Sequence, residues 1–495
     1  MQNRMKWITA GMMALIMVVA LLAVAVPQQQ AAQAGVDNGY YGKKAKYVFY
    51  FIGDGMATPQ INAAEIFKGT QESTDPMVKG RLNLTALPYV GVQTTQAANT
   101  FITESAAAGT ALATGHKTNN DILGMDPSKT KKFKSMAELA KEKGMKVGII
   151  TTVSLDHATP GAFYAHEPTR NNYYEIGLSL VNSGFDYFAG GGLLAPTGKQ
   201  KDKTDVLEIA RKNGYQVVND AAGINALNKG TGKVIAIAPQ LAGDQAMKYD
   251  IDRPADEVSL ADFTRKGIEL LDNPNGFFMM VEGGKVDWSC HANDAATTVR
   301  DVMSLDQALG EALKFYAKHP DETLIVVTGD HETGGMTLGF AGTQYNTYFS
   351  KMGAQTASFE EFTKQVAAYR ASTGENGARL EDWLPVLSRQ FGLDELSDFD
   401  KKRLSNALAA SMIDPKKRSK DEESALLYGT YDPFCVTVTH ILNQKAGIGW
   451  TTYAHTGVAL PVFAQGVGGD MFRGYYDNTD TAKKVMAVMG VNFQP

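Results

Sequence analysis

The sequence predicts an α/β fold of three layers, in which a mostly parallel central sheet is flanked by helices. Five short runs, Lys46–Ile52, Lys146–Val153, Lys233–Ala238, Phe277–Val281 and Thr323–Thr328, are near-continuously apolar rather than alternating, the pattern of strands buried on both faces. Helical patterns at Lys134–Lys143, Ser259–Leu271 and Thr297–Lys318 lie between them, the alternation expected of a parallel sheet with crossover helices. With 495 residues and 44% hydrophobic content, the chain can bury one large core around that sheet. Its net charge of -5 carries no basic excess, which argues against nucleic acid as a partner.

The first segment stands outside this pattern. Arg4 and Lys6 precede an apolar run from Trp7 to Val26, and Ala32-Gln33-Ala34 then has the small-x-small form of a signal-peptidase site. Residues 1–34 therefore read as a signal peptide, with an uncleaved membrane anchor as the alternative because the run is long for a signal core. Export to the periplasm or the medium is the expectation. Only two cysteines are present, too few for a disulfide framework. Cys290 and Cys435 could form one bridge, but a small buried residue is the expected role of Cys290.

Each of four apolar runs is followed by polar residues of one chemical kind. Gly53-Asp54-Gly55-Met56 follows the first, and Asp156-His157-Ala158-Thr159-Pro160 follows the second by two residues. Glu282-Gly283-Gly284 follows the fourth, with Asp287 and His291 close behind, and Gly329-Asp330-His331-Glu332 follows the fifth. In a parallel sheet, sites gather beyond the carboxyl ends of the strands. Asp, Glu and His are the side chains that hold zinc and magnesium. Asp287 and His291 are four apart and share one face if a helix begins there. Asp330 and His331 are adjacent, so they can converge only in the turn beyond the strand, and Gly334-Gly335 makes such a turn plausible.

Residues Phe101–Gly115, FITESAAAGTALATG, place Ser105 in the first turn of a helix built from small residues. Unsatisfied backbone N–H groups and the positive end of the helix dipole make that position ready for an anion.

Taken together, TESAAAGTALATG, IGDGM, DHATP with Arg170 eleven residues after Thr159, VEGG followed by Asp287 and His291, TGDH and the late Ala454-His455-Thr456-Gly457 resemble the motif set of the alkaline phosphatases. The resemblance runs from about Lys46 to Gly339 and resumes near Thr451, in chain order and with matching internal spacing. It implies an alkaline-phosphatase-like fold over residues 46–495. It also implies an enzyme that hydrolyses phosphate monoesters through a phosphoserine at Ser105, with two Zn2+ and one Mg2+. Asp287, His291 and His455 would hold one zinc. Asp54, Asp330 and His331, completed by Ser105, would hold the second. Asp54, Thr159 and Glu282 would hold magnesium, and Arg170 would grip two phosphate oxygens. A homodimer and small phosphate monoesters are the partners implied.

Three residues depart from the best-known bacterial pattern. Glu104 stands where an Asp usually precedes the nucleophile, so the carboxylate that steers Arg170 is one methylene longer and a looser arginine is expected. His157 could sit beside the magnesium site or draw a different metal into it. Trp288 stands where some members carry Lys or His that reaches the phosphate through water. His166 reads as a solvated or capping histidine, and His116, His319 and His440 have no ligand-like neighbours.

Between His331 and His455, residues from about 342 to 445 form a segment that compact members lack. Phe359–Ala371, Leu380–Phe391 and Asp398–Met412 show helical periodicity with many charges, as expected of a cap or interface insertion. A phosphodiesterase, a cofactor-independent phosphate mutase or another phosphotransferase of the same superfamily is the alternative enzyme. A periplasmic phosphate- or metal-binding protein is the alternative without turnover.

Overall fold

A computed structural model of the chain describes residues 40, 42–75, 77–374 and 377–494. The leader read at 1–34 lies outside the described residues. The described residues from 42 onward form one compact unit.

A ten-stranded sheet runs through the centre of the described residues. In chain order its strands are β1 (Tyr47–Gly53), β2 (Tyr89–Thr94), β3 (Lys146–Thr151), β4 (Tyr187–Gly190), β5 (Tyr215–Val218), β6 (Lys233–Ile237), β7 (Phe277–Gly283), β8 (Thr323–Gly329), β9 (Leu460–Gly466) and β10 (Gly474–Asp477). Across the sheet they lie in the order β10-β2-β9-β8-β1-β7-β3-β4-β6-β5. Only β9 runs antiparallel to its neighbours. The expected three-layer, mostly parallel architecture is therefore present.

The four strands β8, β1, β7 and β3, all expected from sequence, are contiguous and central. Every residue of β1, β7 and β8 is buried, which is why their sequences carry no polar alternation. β3 stops at Thr151, two residues short of expectation, because the Thr151 hydroxyl accepts the Val153 amide and turns the chain. The strands that periodicity did not reveal are the short or half-exposed ones. β4 is four residues long, and β2 alternates between buried and exposed positions near one edge.

Aromatic packing fixes one face of the central strands. Phe49 on β1 meets Phe277 edge-on with ring centres 5.1 Å apart, and Phe315 at 5.7 Å closes the cluster from the flanking helix Ala295–Tyr316. That helix starts where the Asp294 side chain accepts the Thr297 amide.

Helices that carry or support polar clusters are α1 (Ser105–Thr114), α2 (Lys285–His291), α3 (Phe359–Thr373), α4 (Leu384–Phe391), α5 (Asp398–Met412) and α6 (Pro433–Ala446). The expected helix over Leu380–Phe391 is divided into a 3-10 turn at Leu380–Asp382 and α4. Pro385 sits in the first turn of α4, where a missing N–H costs nothing. Helices α3 to α6 pack around their own apolar core of Phe362, Trp383, Phe391, Leu404, Phe434 and Leu442. Cys435 belongs to that second core and Cys290 to the main one, and both are free thiols. Among the described residues, no helix is long and apolar enough to cross a membrane.

Replacing Phe49 by Ala removes a ring from the centre of the aromatic cluster and should cost about 3–5 kcal/mol in urea unfolding. A loss below about 1 kcal/mol would show that this face repacks freely.

Candidate active site

Three neighbouring strands end together. Gly53 of β1 pairs with Gly283 of β7 on one side and with Gly329 of β8 on the other. The residues at or just beyond these ends are Asp54, Glu282 and Asp330, so strand register alone brings three carboxylates to one spot. All three are fully buried. The turn after β1 needs Gly55 in the left-handed region (φ 71°), where a Cβ would lie 2.8 Å from the Asp287 Cα. Its amide donates to Asp330 Oδ1 at 3.1 Å.

The remaining groups come from helices and turns. α2 begins right after β7 and, as the four-residue spacing required, puts Asp287 and His291 on one face. A two-residue antiparallel ribbon pairs His455–Thr456 with Glu332–Thr333 and so delivers His455 beside His331. Ser105 is the first residue of α1 and is buried. The cap of that helix is Glu104, whose two carboxylate oxygens accept the amides of Ala106 at 2.9 Å and Ala107 at 2.8 Å.

Each of three histidines is oriented by a bond from its Nδ1. His291 Nδ1 lies 2.6 Å from the Tyr453 carbonyl, and His455 Nδ1 lies 2.8 Å from that of Thr103. Since a carbonyl only accepts, each Nδ1 carries a proton and Nε2 is the atom left facing inward; at His291, Asp287 outweighs burial and raises the pKa to about 9, so a cation binding there displaces the Nε2 proton. His331 Nδ1 faces Thr333 Oγ1 at 3.2 Å, and that hydroxyl donates onward to Asp287 Oδ1. Burial, reinforced by His455, holds the His331 pKa well below its ordinary value, so its ring is neutral. All three Nε2 atoms therefore converge.

The converging atoms have the spacing of ligands around a common ion. His291 Nε2 and His455 Nε2 are 3.1 Å apart, and they lie 3.3 Å and 3.5 Å from the two Asp287 oxygens. Around His331 Nε2, Ser105 Oγ is at 3.2 Å and the oxygens of Asp54 and Asp330 are each at 3.3 Å. Ligand atoms about 2.0 Å from one tetrahedral zinc are about 3.3 Å from each other. Among the described residues, three groups of side chains could hold a metal: Asp287 with His331 and His455, Asp54 with Asp330 and His331, and Asp54 with His157 and Glu282. His331 thus belongs to two of them, and its ring stacks on His455 with centres 3.7 Å apart.

Charge balance points the same way. Asp54 Oδ1, Glu282 Oε1 and Asp330 Oδ2 are buried without a hydrogen-bond partner. Burial, then repulsion from the other carboxylates, drives the pKa of Asp54 far upward, and burial raises Glu282 to about 7. Asp287 is the exception: burial pushes it up, but the protonated His291 beside it outweighs burial and holds it well below the usual carboxylate range. Such a site fits cations, which supply the charge that these side chains lack.

Arg170 is held more firmly than the sequence suggested. The added methylene of Glu104 lets one carboxylate cap α1 and still reach the guanidinium, at 2.5 Å from Nη1. Arg170 Nη2 also donates to His157 Nε2 at 3.0 Å. A guanidinium only donates, so the His157 lone pair is on Nε2 and its proton on Nδ1. Burial, with Arg170 nearby, lowers His157 to about 3 and keeps it neutral. Trp288 meets His157 edge-on at 5.9 Å. Thr159 Oγ1 lies 3.5 Å from Asp54 Oδ2, and the Thr151 hydroxyl donates to Glu282. Sequence reasoning missed Thr151, Thr333 and the carbonyls of Thr103 and Tyr453. Thr333, two residues after His331, had a readable position, whereas a carbonyl leaves no trace in residue type. His166 is neither solvated nor a cap: it bridges the Gly124 carbonyl at 2.9 Å and Glu138 at 3.0 Å, away from the carboxylates.

If the buried carboxylates await cations, Asp330→Asn should stabilise the metal-stripped protein by about 1–3 kcal/mol in unfolding measured with chelator at pH 8. An Asn variant less stable than the parent under chelation would contradict the charge argument.

Comparison with known proteins agrees with this geometry. The alkaline phosphatase family profile matches residues 45–491. Alkaline phosphatase 4 of Bacillus subtilis is 32% identical over 451 residues, covering 89% of this chain and 88% of that protein. The crystal structure of Thermus thermophilus alkaline phosphatase superposes with a TM-score of 0.77 at 25% identity, over 95% of this chain and 97% of that one. The cold-active enzyme of a Shewanella species gives 0.75 at 28% identity, over 90% and 99%. The chain therefore belongs to the alkaline phosphatase family, whose members are metal-dependent hydrolases of phosphate monoesters.

Proposed function

We propose that the chain is an exported phosphomonoesterase of broad specificity, most active at alkaline pH, in which Ser105 is the nucleophile and forms a phosphoserine. The observation that carries this reading is the ligand spacing around Ser105 Oγ, 3.2 Å from an Nε2 that also faces two carboxylates. Asp287, His291 and His455 would hold one zinc, Asp54, Asp330 and His331 with Ser105 a second, and Asp54, Thr159 and Glu282 a magnesium ion. Two such cations would favour the serine alkoxide and stabilise the entering and leaving oxygens of the transfer.

The chain's own groups do the rest. The N-terminus of α1 offers backbone N–H groups and its dipole to the arriving dianion. Arg170 presents a planar fork to two phosphate oxygens, and Glu104 and His157 fix the plane of that fork from two sides. Serine attack forms the Oγ–P bond as the alcohol leaves. Water then breaks that bond and releases phosphate, so one hard displacement becomes two easier ones. A diester has fewer free oxygens for the Arg170 fork, which favours the monoester.

With p-nitrophenyl phosphate in alkaline buffer, Ser105→Ala should lower kcat by about a thousandfold or more, and chelator should abolish parental activity. Undiminished hydrolysis by the Ala variant would rule out the phosphoserine, and faster hydrolysis of the bis-ester would make the protein a diesterase. Glu104→Gln, which removes the charge facing Arg170, should raise KM about tenfold with a smaller effect on kcat. An unchanged KM would free Glu104 of any role in orienting the arginine.

A further inference from the structure

The segment from 342 to 445 touches the ligand-bearing helix α2 at both of its ends. At the start of α2, the Lys285 side chain is wholly buried. Its Nζ lies 3.6 Å from the centre of the Tyr249 ring and 3.4 Å from Oε2 of Glu360, in the first turn of α3. Glu360 is itself fixed, because its other oxygen accepts the Gly243 amide at 2.9 Å. Alongside, Gln355 Nε2 and the Phe359 amide donate to Asp294, at 2.8 Å and 2.9 Å, which anchors the segment just before α3.

At the far end, Asn293 follows α2 with φ 50°, a left-handed conformation unusual for a residue other than glycine. Two residues of α6 hold it there. Asn443 Nδ2 donates to the Asn293 carbonyl at 2.6 Å, and His440 Nε2 lies 3.0 Å from Asn293 Oδ1. Asn293 Nδ2 in turn donates to the Cys290 carbonyl, inside α2, and to the Thr452 carbonyl, one residue before the Tyr453 that orients His291.

The geometry points to this segment as a clamp on α2: Glu360 with Lys285 at one end and His440 with Asn443 at the other are positioning residues for Asp287 and His291. A seven-residue helix has little stability of its own, so the placement of its side chains depends on what grips its ends. Both grips are buried or half-buried polar contacts, specific in direction in a way that apolar packing is not. The segment is then part of the metal centre's support rather than a surface addition. This inference rests on the proposed function in one respect, that α2 carries two zinc ligands.

The test uses the full-length zinc-loaded protein with Glu360→Ala, Asn443→Ala and the double variant, and Glu361→Ala as an exposed control. Zinc release to a chromogenic chelator should be about tenfold faster in each single variant, faster still in the double variant, and unchanged in the control. Hydrogen exchange at residues 286–291 of the metal-stripped proteins should quicken in the same order. Lower melting temperatures with parental rates of zinc release and exchange would reduce these contacts to ordinary packing and overturn the clamp. If the parent binds no zinc, the functional reading fails, while the exchange measurement still decides whether the segment holds α2.

Discussion

The constraint on which the structure depends is the burial of like charge at the ends of three adjacent strands. Parallel register puts Asp54, Glu282 and Asp330 side by side, and the main apolar core surrounds their strands. In a low-dielectric interior, carboxylates at such distances repel strongly, and none of the three has protein partners for all of its oxygens. A fold gains nothing from this arrangement as packing. Its sense lies in what it can attract, and the histidines with inward-facing Nε2 atoms complete that design.

Orientation of these groups is left largely to neighbours that have no ligand chemistry. Thr333 and the carbonyls of Thr103 and Tyr453 decide which nitrogen of each imidazole faces inward. Glu104 joins two tasks, since the same carboxylate caps α1 and grips Arg170. Burial raises its pKa, but Arg170 and the backbone amides of Ala106, Asp121 and Ala107 lower it by more, so Glu104 stays ionised. The helix that begins at Ser105 and the Arg170 guanidinium are thereby tied to each other.

Much of this was legible in the residues, for physical reasons. Strands buried on both faces must be apolar throughout, so β1, β3, β7 and β8 stood out, and the polar clusters behind them marked the carboxyl edge of the sheet. The four-residue spacing of Asp287 and His291 needed only a helix to become a pair. The edge strand β10, its neighbour β2 and the short β4 did not stand out, because half-exposed or four-residue strands carry little periodic signal. The looser arginine expected from Glu104 was wrong because residue type alone does not reveal that the longer side chain also bonds to Ala106 and Ala107. Nor could periodicity show that helices expected as a cap or interface would reach back to Lys285 and Asn293, since those contacts are made by single polar atoms.

Under the proposed function, the buried carboxylates and inward-facing imidazoles would form two adjoining zinc sites. Anomalous diffraction from crystals of the purified protein, recorded on both sides of the zinc edge, tests it most directly. The account predicts two zinc peaks, one among Asp287, His291 and His455 and the other among Asp54, Asp330 and His331 beside Ser105. A single peak, or peaks away from these side chains in a catalytically active protein, would contradict it.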